Sequence, residues 1–305
     1  LYCLFGLLLY GILLPSTMAI STDFLHQLDR FSLIIRKRVT SNYTGERQTR
    51  YTGRGLIFKD HSIYTPGADF RNIDWRVFAR TDKLYIKRFE EERNLTVHVI
   101  IDYSASMKFG DKMSKADYAA MIGLGYSYLA MKNNERFVVS TFSDKLELFK
   151  PKKGRSNLAA IYGFLTKKRP GGVTNFEQSL SSYKRLIDSK SYIVIISDFF
   201  YDIDQIKRTL YRMRHHTIHL VQVLDKVERN MNLEGDYKLR DLETGGILRT
   251  FISPLFKKNY FSQLAEHNAA IKKACDEVNA HFHTVDSGQN IFDAFYGIVG
   301  KNNAG

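Results

Sequence analysis

The run Leu95-Thr96-Val97-His98-Val99-Ile100-Ile101-Asp102-Tyr103-Ser104-Ala105-Ser106-Met107 decides the fold. Its apolar first half predicts a buried strand that ends at Asp102, as in a parallel sheet covered on both faces. A carboxylate and two hydroxyls then follow at alternate positions. That set is a hard-oxygen half-site for a divalent cation such as Mg²⁺, which takes oxygen ligands and keeps several waters. In an open α/β sheet, ligands bind at the carboxyl ends of the strands. Two later segments complete the set. Gly171-Gly172-Val173-Thr174-Asn175 offers a hydroxyl on a glycine loop, and Tyr192-Ile193-Val194-Ile195-Ile196-Ser197-Asp198 brings a second carboxylate to a strand end. The glycines let the Thr174 hydroxyl come in close. Helix capping by Ser104, Ser106 and Asp198 is the plainer reading, but capping does not require all five together.

Outward from this run, strands and helices alternate. The pattern predicts a helix over 112–131, a hairpin of 136–142 with 145–149, helices near 156–168 and 175–188, a central strand 192–197, a helix 203–214 and a strand 217–224. Residues 230–252 read as a β-hairpin insertion, followed by a helix 256–280, a strand 281–285 and a helix 290–299. The fold class is α/β, a doubly wound, mostly parallel sheet of Rossmann-like kind. An N-terminal β-containing extension precedes it, with a strand at Leu84–Phe89 and a turn at Tyr64-Thr65-Pro66-Gly67. The division is 1–17, an apolar N-terminal segment; 18–93, an N-terminal block; 94–228, the α/β core; and 229–300, the hairpin insertion and closing helices of the same domain.

Asp102, Ser104, Ser106, Thr174 and Asp198, in that order, resemble the metal-ion-dependent adhesion site of von Willebrand factor A (vWA) domains. Residues 53–93 carry a second resemblance. Tyr64, Pro66-Gly67, Asp69, Arg71, Ile73-Asp74-Trp75, Ala79-Arg80 and Glu91-Glu92-Arg93 follow the pattern of the DUF58 proteins, whose second half is a vWA domain. Ala68 departs from it, where that family usually has an acidic residue. The likeness runs over roughly residues 24–300. It implies Mg²⁺ (or Mn²⁺) bound by the five residues, with one coordination position left for a carboxylate of a protein partner. It further implies a MoxR-type AAA+ ATPase as partner, in the assembly or maturation of other proteins. The expected function is therefore a metal-dependent binding module and not an enzyme, cytoplasmic unless the N-terminal segment anchors it to a membrane.

Other classes are less well supplied. There is no Gly-x-Ser-x-Gly elbow, no phosphate-binding Gly-x-x-x-x-Gly-Lys-Ser/Thr loop and no His-Glu-x-x-His. A metal-dependent phosphoester hydrolase stays as the alternative, short of a general base near the metal loop. A nucleic-acid-binding module is the other alternative, because the net charge is +13. Eight Lys or Arg face one acid, Glu46, between Arg30 and Lys59. A second basic cluster is Lys207, Arg208, Arg212 and Arg214. No stacking aromatics interleave the first basic run as single-strand binders need, so no specific nucleic acid is assigned. The charge-free run Leu1–Leu14 is too short for a ~30 Å hydrocarbon core. It reads as sequence upstream of a start at Met18, with a truncated membrane helix as the rival.

Single residues complete the expectations. Trp75, with Ile73 and Phe78, is expected to be buried and to pack the N-terminal block against the α/β core, and Arg71, Asp74 and Arg80 to form a buried ion-pair network that fixes this docking. Asp144 shapes a hairpin turn, and Asn175, Asp202 and Asp204 serve helix N-termini. Lys115 and Asp117 lie on the surface near the rim of the site. Cys275 is a buried thiol, and His281 and His283 share a strand face without a metal.

Overall fold

The computed structural model describes residues 7–9, 56–65, 69–91, 96–110, 113–149, 155–187, 189–241 and 246–301. The basic residues from Arg30 to Arg54 and the Pro66-Gly67 of the expected turn lie outside these residues. The chain divides into two compact units, one of residues 41–94 and one of 1–40 with 95–305.

The elements in chain order are β1 (Leu7–Leu9), β2 (Leu56–Ile63), α1 (Trp75–Thr81), β3 (Tyr85–Glu91), β4 (Thr96–Asp102), α2 (Lys115–Lys132), β5 (Arg136–Phe142), β6 (Leu146–Phe149), α3 (Arg155–Lys167) and α4 (Phe176–Lys184). They continue with β7 (Tyr192–Ser197), α5 (Ile203–Met213), β8 (Thr217–Leu224), α6 (Lys226–Asn230), β9 (Gly235–Asp241), β10 (Ile247–Ile252), α7 (Pro254–Asp276), β11 (His281–Asp286) and α8 (Ile291–Lys301).

The larger unit's six-stranded sheet has the strand order β11-β8-β7-β4-β5-β6. Within that sheet all pairings are parallel except β5 with β6 at one edge. β4 is central, with Val99 level with Val139 on one side and Val194 on the other. Alternation sends its side chains to two cores. Val97, Val99 and Ile101 join Ala119 and Ile122 of α2 and Phe295 and Ile298 of α8. Ile100 joins Ile193 and Ile195, Leu180 of α4, Leu210 of α5 and Ile271 of α7. The sheet is therefore buried on both faces, which explains why β4 and β7 read as unbroken apolar runs. Gly123 seats α2 closely on β4, since a Cβ there would lie 2.7 Å from Ile101 Cδ1.

Two elements of the larger unit differ from the sequence expectation. Asp225 and Glu228 form a reciprocal capping box that starts the short α6 just ahead of the expected hairpin, where no helix was foreseen. β9 pairs with β10 and also with β1, so Leu7–Leu9, read as sequence upstream of a start at Met18 or as part of a truncated membrane helix, forms a strand. Among the described residues no helix is long and apolar enough to cross a membrane.

In the smaller unit β2 pairs antiparallel with β3, with a bulge between Phe58 and Asp60. α1 was not foreseen. Asp74 caps it, accepting from the Arg76 amide at 3.0 Å and the Val77 amide at 3.4 Å. The expected Arg71–Asp74–Arg80 network does not form. Asp74 pairs instead with His61 at 2.9 Å and Lys87 at 3.6 Å, and Arg80 Nε donates to the Arg76 carbonyl. The β2–β3 ladder places His61 opposite Lys87, a cross-strand pairing that local sequence cannot show. Trp75 is also corrected. Its ring is 60% exposed and meets Phe78 edge-on at 6.1 Å, because the helix starts one residue after its cap and turns position 75 outward.

Candidate metal centre

β4 ends at Asp102, whose side chain is fully buried. One carboxylate oxygen, Oδ1, accepts from the Ser104 amide at 2.8 Å. This turns the chain sharply, so that Ser104 and Ser106 bring their hydroxyls to 3.0 Å from each other. The other oxygen, Oδ2, accepts from Ser197 Oγ at 2.7 Å and from the Tyr201 hydroxyl. Ser197 is the last residue of β7, the neighbouring strand, so its hydroxyl lies beside Asp102 by register.

The glycine loop is stitched to the same end of the sheet. The Gly171 amide donates to the Tyr103 carbonyl at 2.8 Å, and the Ala105 amide donates to the Gly172 carbonyl at 3.1 Å. Gly172 has φ +84°, a left-handed conformation that costs glycine little. These bonds hold the backbone around Thr174 against the loop of Ser104 and Ser106. Asn175 then caps α4 by accepting from the Gln178 amide.

Asp198 follows β7 and is 1% exposed. Phe199, buried behind it, has φ +56°. A bulky residue in the left-handed region costs on the order of 1–3 kcal/mol and persists only when its surroundings fix it. Here the Phe199 amide donates to Ser197 Oγ, and its carbonyl accepts from His267 Nε2. Those bonds fix the turn that carries Asp198.

The principal correction is Lys115, expected at the surface. It is 0% exposed. Its Nζ donates to Asp198 Oδ2 at 2.9 Å and to Glu228 Oε1 at 2.7 Å, and lies 5.6 Å from the Phe200 ring centroid. The reason is the chain path after Met107. The Lys115 amide bonds the Phe109 carbonyl, which starts α2 beneath the strand ends and turns its first side chain inward. Asp117 takes the place expected of a helix-start residue, bonded to Ser114.

The electrostatics follow from burial. Burial, and then the charge of Asp198, push the Asp102 carboxyl up to about 6, against the lowering effect of its hydrogen bonds. Burial and the charge of Asp102 push the Tyr201 hydroxyl well above its ordinary value. Burial opposes the charge of Lys115, but Asp198 and Glu228 more than offset it and its pKa is raised. Glu228 is raised by burial, with Lys115 acting against it. Two buried carboxylates close enough to repel are thus only partly neutralised by one ammonium. That shortage of positive charge, and an all-oxygen set, fit a hard divalent cation.

The five expected residues therefore lie on three segments joined by direct hydrogen bonds at one end of the sheet. Among the described residues no three His, Cys, Asp or Glu side chains form a group that could hold a metal ion; the five expected residues are two carboxylates and three hydroxyls. Sequence reading missed Ser197, Tyr201, Lys115 and Glu228. Ser197 and Tyr201 flank Asp198 closely and could have been flagged. The Asp225-x-x-Glu228 capping box was readable, but its link to the site was not. His281 and His283 stack on buried His219, with ring centroids 4.5 and 6.1 Å away, face to face rather than converging on a point.

These features define an α/β protein with a mostly parallel sheet and a carboxylate–hydroxyl site at its carboxyl end. The chain belongs to the DUF58 family, described as "Protein of unknown function DUF58", whose model matches residues 60–270. It is 23% identical to uncharacterised proteins of Mycobacterium tuberculosis and Mycobacterium bovis over 251 residues, 81% of this chain and 79% of theirs. Among solved structures it is similar to an aerotolerance-related membrane protein from Bacteroides fragilis, at 14% identity, a TM-score of 0.42, and coverage of 68% of this chain and 99% of that one. BatB from Bacteroides thetaiotaomicron matches at 15% identity, a TM-score of 0.41, and coverage of 68% and 98%.

Proposed function

We propose that this chain is a metal-dependent protein-binding module of the doubly wound vWA type, and not an enzyme. Asp102, Ser104, Ser106, Thr174 and Asp198 would hold Mg²⁺ (or Mn²⁺). The observation that carries this reading is Asp102, a buried strand-end carboxylate held near 6 beside a second carboxylate. A bound divalent ion would supply a Lewis-acidic position for a partner's carboxylate. The chain's own residues do the rest. Asp102 and Ser197 fix the strand ends, Gly172 lets the Thr174 loop approach, and Phe199 holds Asp198 in its strained turn.

The resemblance to DUF58 proteins implies the partner class, a MoxR-type AAA+ ATPase, and the role, an adaptor in protein assembly or maturation. A cytoplasmic location goes with that partner. The test is co-sedimentation of the chain with a purified MoxR-type ATPase in Mg²⁺ and in chelator. Mg²⁺-dependent association that Asp102→Ala abolishes supports the reading. Metal-independent association, or Mg²⁺-dependent turnover of a phosphoester panel, overturns it.

A further inference from the structure

Lys115 is an unusual group to find in a metal centre. A buried ammonium costs several kcal/mol of desolvation unless paired and hydrogen-bonded. It reaches Asp198 across 83 residues and Glu228 across 113, and all three side chains are at most 4% exposed. Glu228 is itself held, its Oε2 accepting from the Asp225 amide at 2.9 Å. The Tyr260 hydroxyl bonds the Glu228 carbonyl at 2.8 Å. The ammonium is thus fixed from the far side, with Asp198 at its near side.

Asp198 Oδ2 is engaged by Lys115 and the Phe200 amide reaches Oδ1 at 3.4 Å. A carboxylate oxygen that accepts an ammonium hydrogen bond has less electron density to give to a cation. Asp102, Asp198 and Glu228, ionised, carry three negative charges against one on Lys115. The remainder is equal and opposite to one divalent ion.

We propose that Lys115, anchored by Glu228, is the positioning residue of this site: it restrains Asp198 from full ligation and matches the cluster's net charge to a single divalent ion. This rests on the metal reading above and deepens it. Without Lys115, Asp198 is free to ligate directly, the site over-neutralises the metal, and the metal's pull on a partner's carboxylate weakens. Lys115 therefore exchanges metal affinity for affinity toward an anionic partner.

The experiment uses the full chain and Mn²⁺ as the probe. Titration calorimetry gives the affinity, and water-proton relaxation enhancement gives the waters retained on bound Mn²⁺. Lys115→Met should bind Mn²⁺ tighter, by roughly tenfold or more because the repulsion between ammonium and cation is lost, and retain fewer waters. Glu228→Gln keeps the ammonium but removes its anchor charge, so Mn²⁺ binding should weaken by a similar factor. The double variant Lys115→Met/Glu228→Gln has the wild-type net charge and no buried ion pair. It should bind tighter than Glu228→Gln alone, and it carries the test if Lys115→Met does not fold. Opposite signs in the two single variants, with fewer waters when Lys115 is removed, support the proposal. Equal weakening in all variants with an unchanged water count means that Lys115 is only structural and overturns it. A wild-type chain that binds no Mn²⁺ overturns the metal reading itself, and this inference with it.

Discussion

Lys115 Nζ lies 2.9 Å from Asp198 Oδ2, with neither side chain more than 2% exposed. Lys115 opens α2 and Asp198 directly follows β7, elements that flank the central strand. Their contact ties the helix that follows the serine loop to the strand end that carries the second carboxylate. Among the described residues no cation pairs with Asp102, whose Oδ2 takes the neutral hydroxyls of Ser197 and Tyr201. The asymmetry between the two aspartates is the chemical character of the site.

Asp102 sets the first expected outcome, a stability profile that depends on metal. Its folded-state pKa of about 6 stands above the ordinary 3.8. The folded protein therefore binds this proton more tightly than the unfolded chain. The stabilisation is fully present below about pH 4 and lost as pH rises through about 6. In chelator at pH 7.5, Asp102→Asn should be more stable than wild type by about 1–3 kcal/mol. Urea unfolding across pH 4–8 measures this. Saturating Mg²⁺ should lift the wild type and leave the variant unmoved. A variant less stable than wild type in chelator contradicts the account.

Metal affinity should grade with the part removed. Asp102→Ala should abolish the heat of Mg²⁺ binding, and Thr174→Ala should weaken it. Gly172→Ala should weaken it too, without touching a ligand. Its φ of +84° disfavours any Cβ, and that Cβ would lie 3.4 Å from Asp144 Oδ1, shifting the loop that carries Thr174. Calorimetric titration of the three variants decides the order. Equal heats in wild type and Asp102→Ala would remove Asp102 from the site.

Much of this was legible because the cause was local. β4 and β7 are apolar runs because the sheet is covered on both faces, and Asp102 and Asp198 mark their ends. Asn175 and Asp202 cap helices in their own neighbourhood. What failed was long-range. A lysine at a helix start reads as solvated, and only two partners 83 and 113 residues away make its burial tolerable. Asp74 was read with the arginines near it in sequence, but the β2–β3 ladder gives it His61 and Lys87. The left-handed Phe199 has no sequence signal, since its strain is offset by contacts made only in the fold.

Trp75 and Asp74, adjacent in sequence, should respond oppositely to truncation. The Trp75 ring is 60% exposed, so Trp75→Ala should change stability by no more than about 0.5 kcal/mol. Asp74→Ala removes the cap of α1 and the partner of His61. His61, then burial acting in the opposite sense, then the capping amides set its carboxyl, which is lowered to about 2. Its stabilisation is present above the ordinary carboxylate value and lost as pH falls toward 2. Hydrogen exchange of the Arg76 and Val77 amides should accelerate in Asp74→Ala at pH 7. A large loss of stability in Trp75→Ala with unchanged exchange in Asp74→Ala would reverse these roles.

The histidine stack at the other end of the sheet should supply a limb of opposite sign. His219 is 2% exposed on β8. Tyr192 of β7 stacks on it at 4.6 Å, with His281 at 4.5 Å and His283 at 6.1 Å on β11. Burial, and then the charges of His281 and His283, hold its pKa well below 6.5. The folded state therefore keeps His219 neutral, while the unfolded chain takes up a proton near pH 6.5. The stabilisation is present above that pH and lost as pH falls below it. In wild type this acid limb opposes the gain from protonating Asp102. The two separate in the Asp102→Asn variant, whose stability should fall monotonically from pH 7 to pH 5. Adding His219→Phe, which keeps a ring in the stack, should flatten that fall. A slope unchanged by His219→Phe would assign the acid limb to another group.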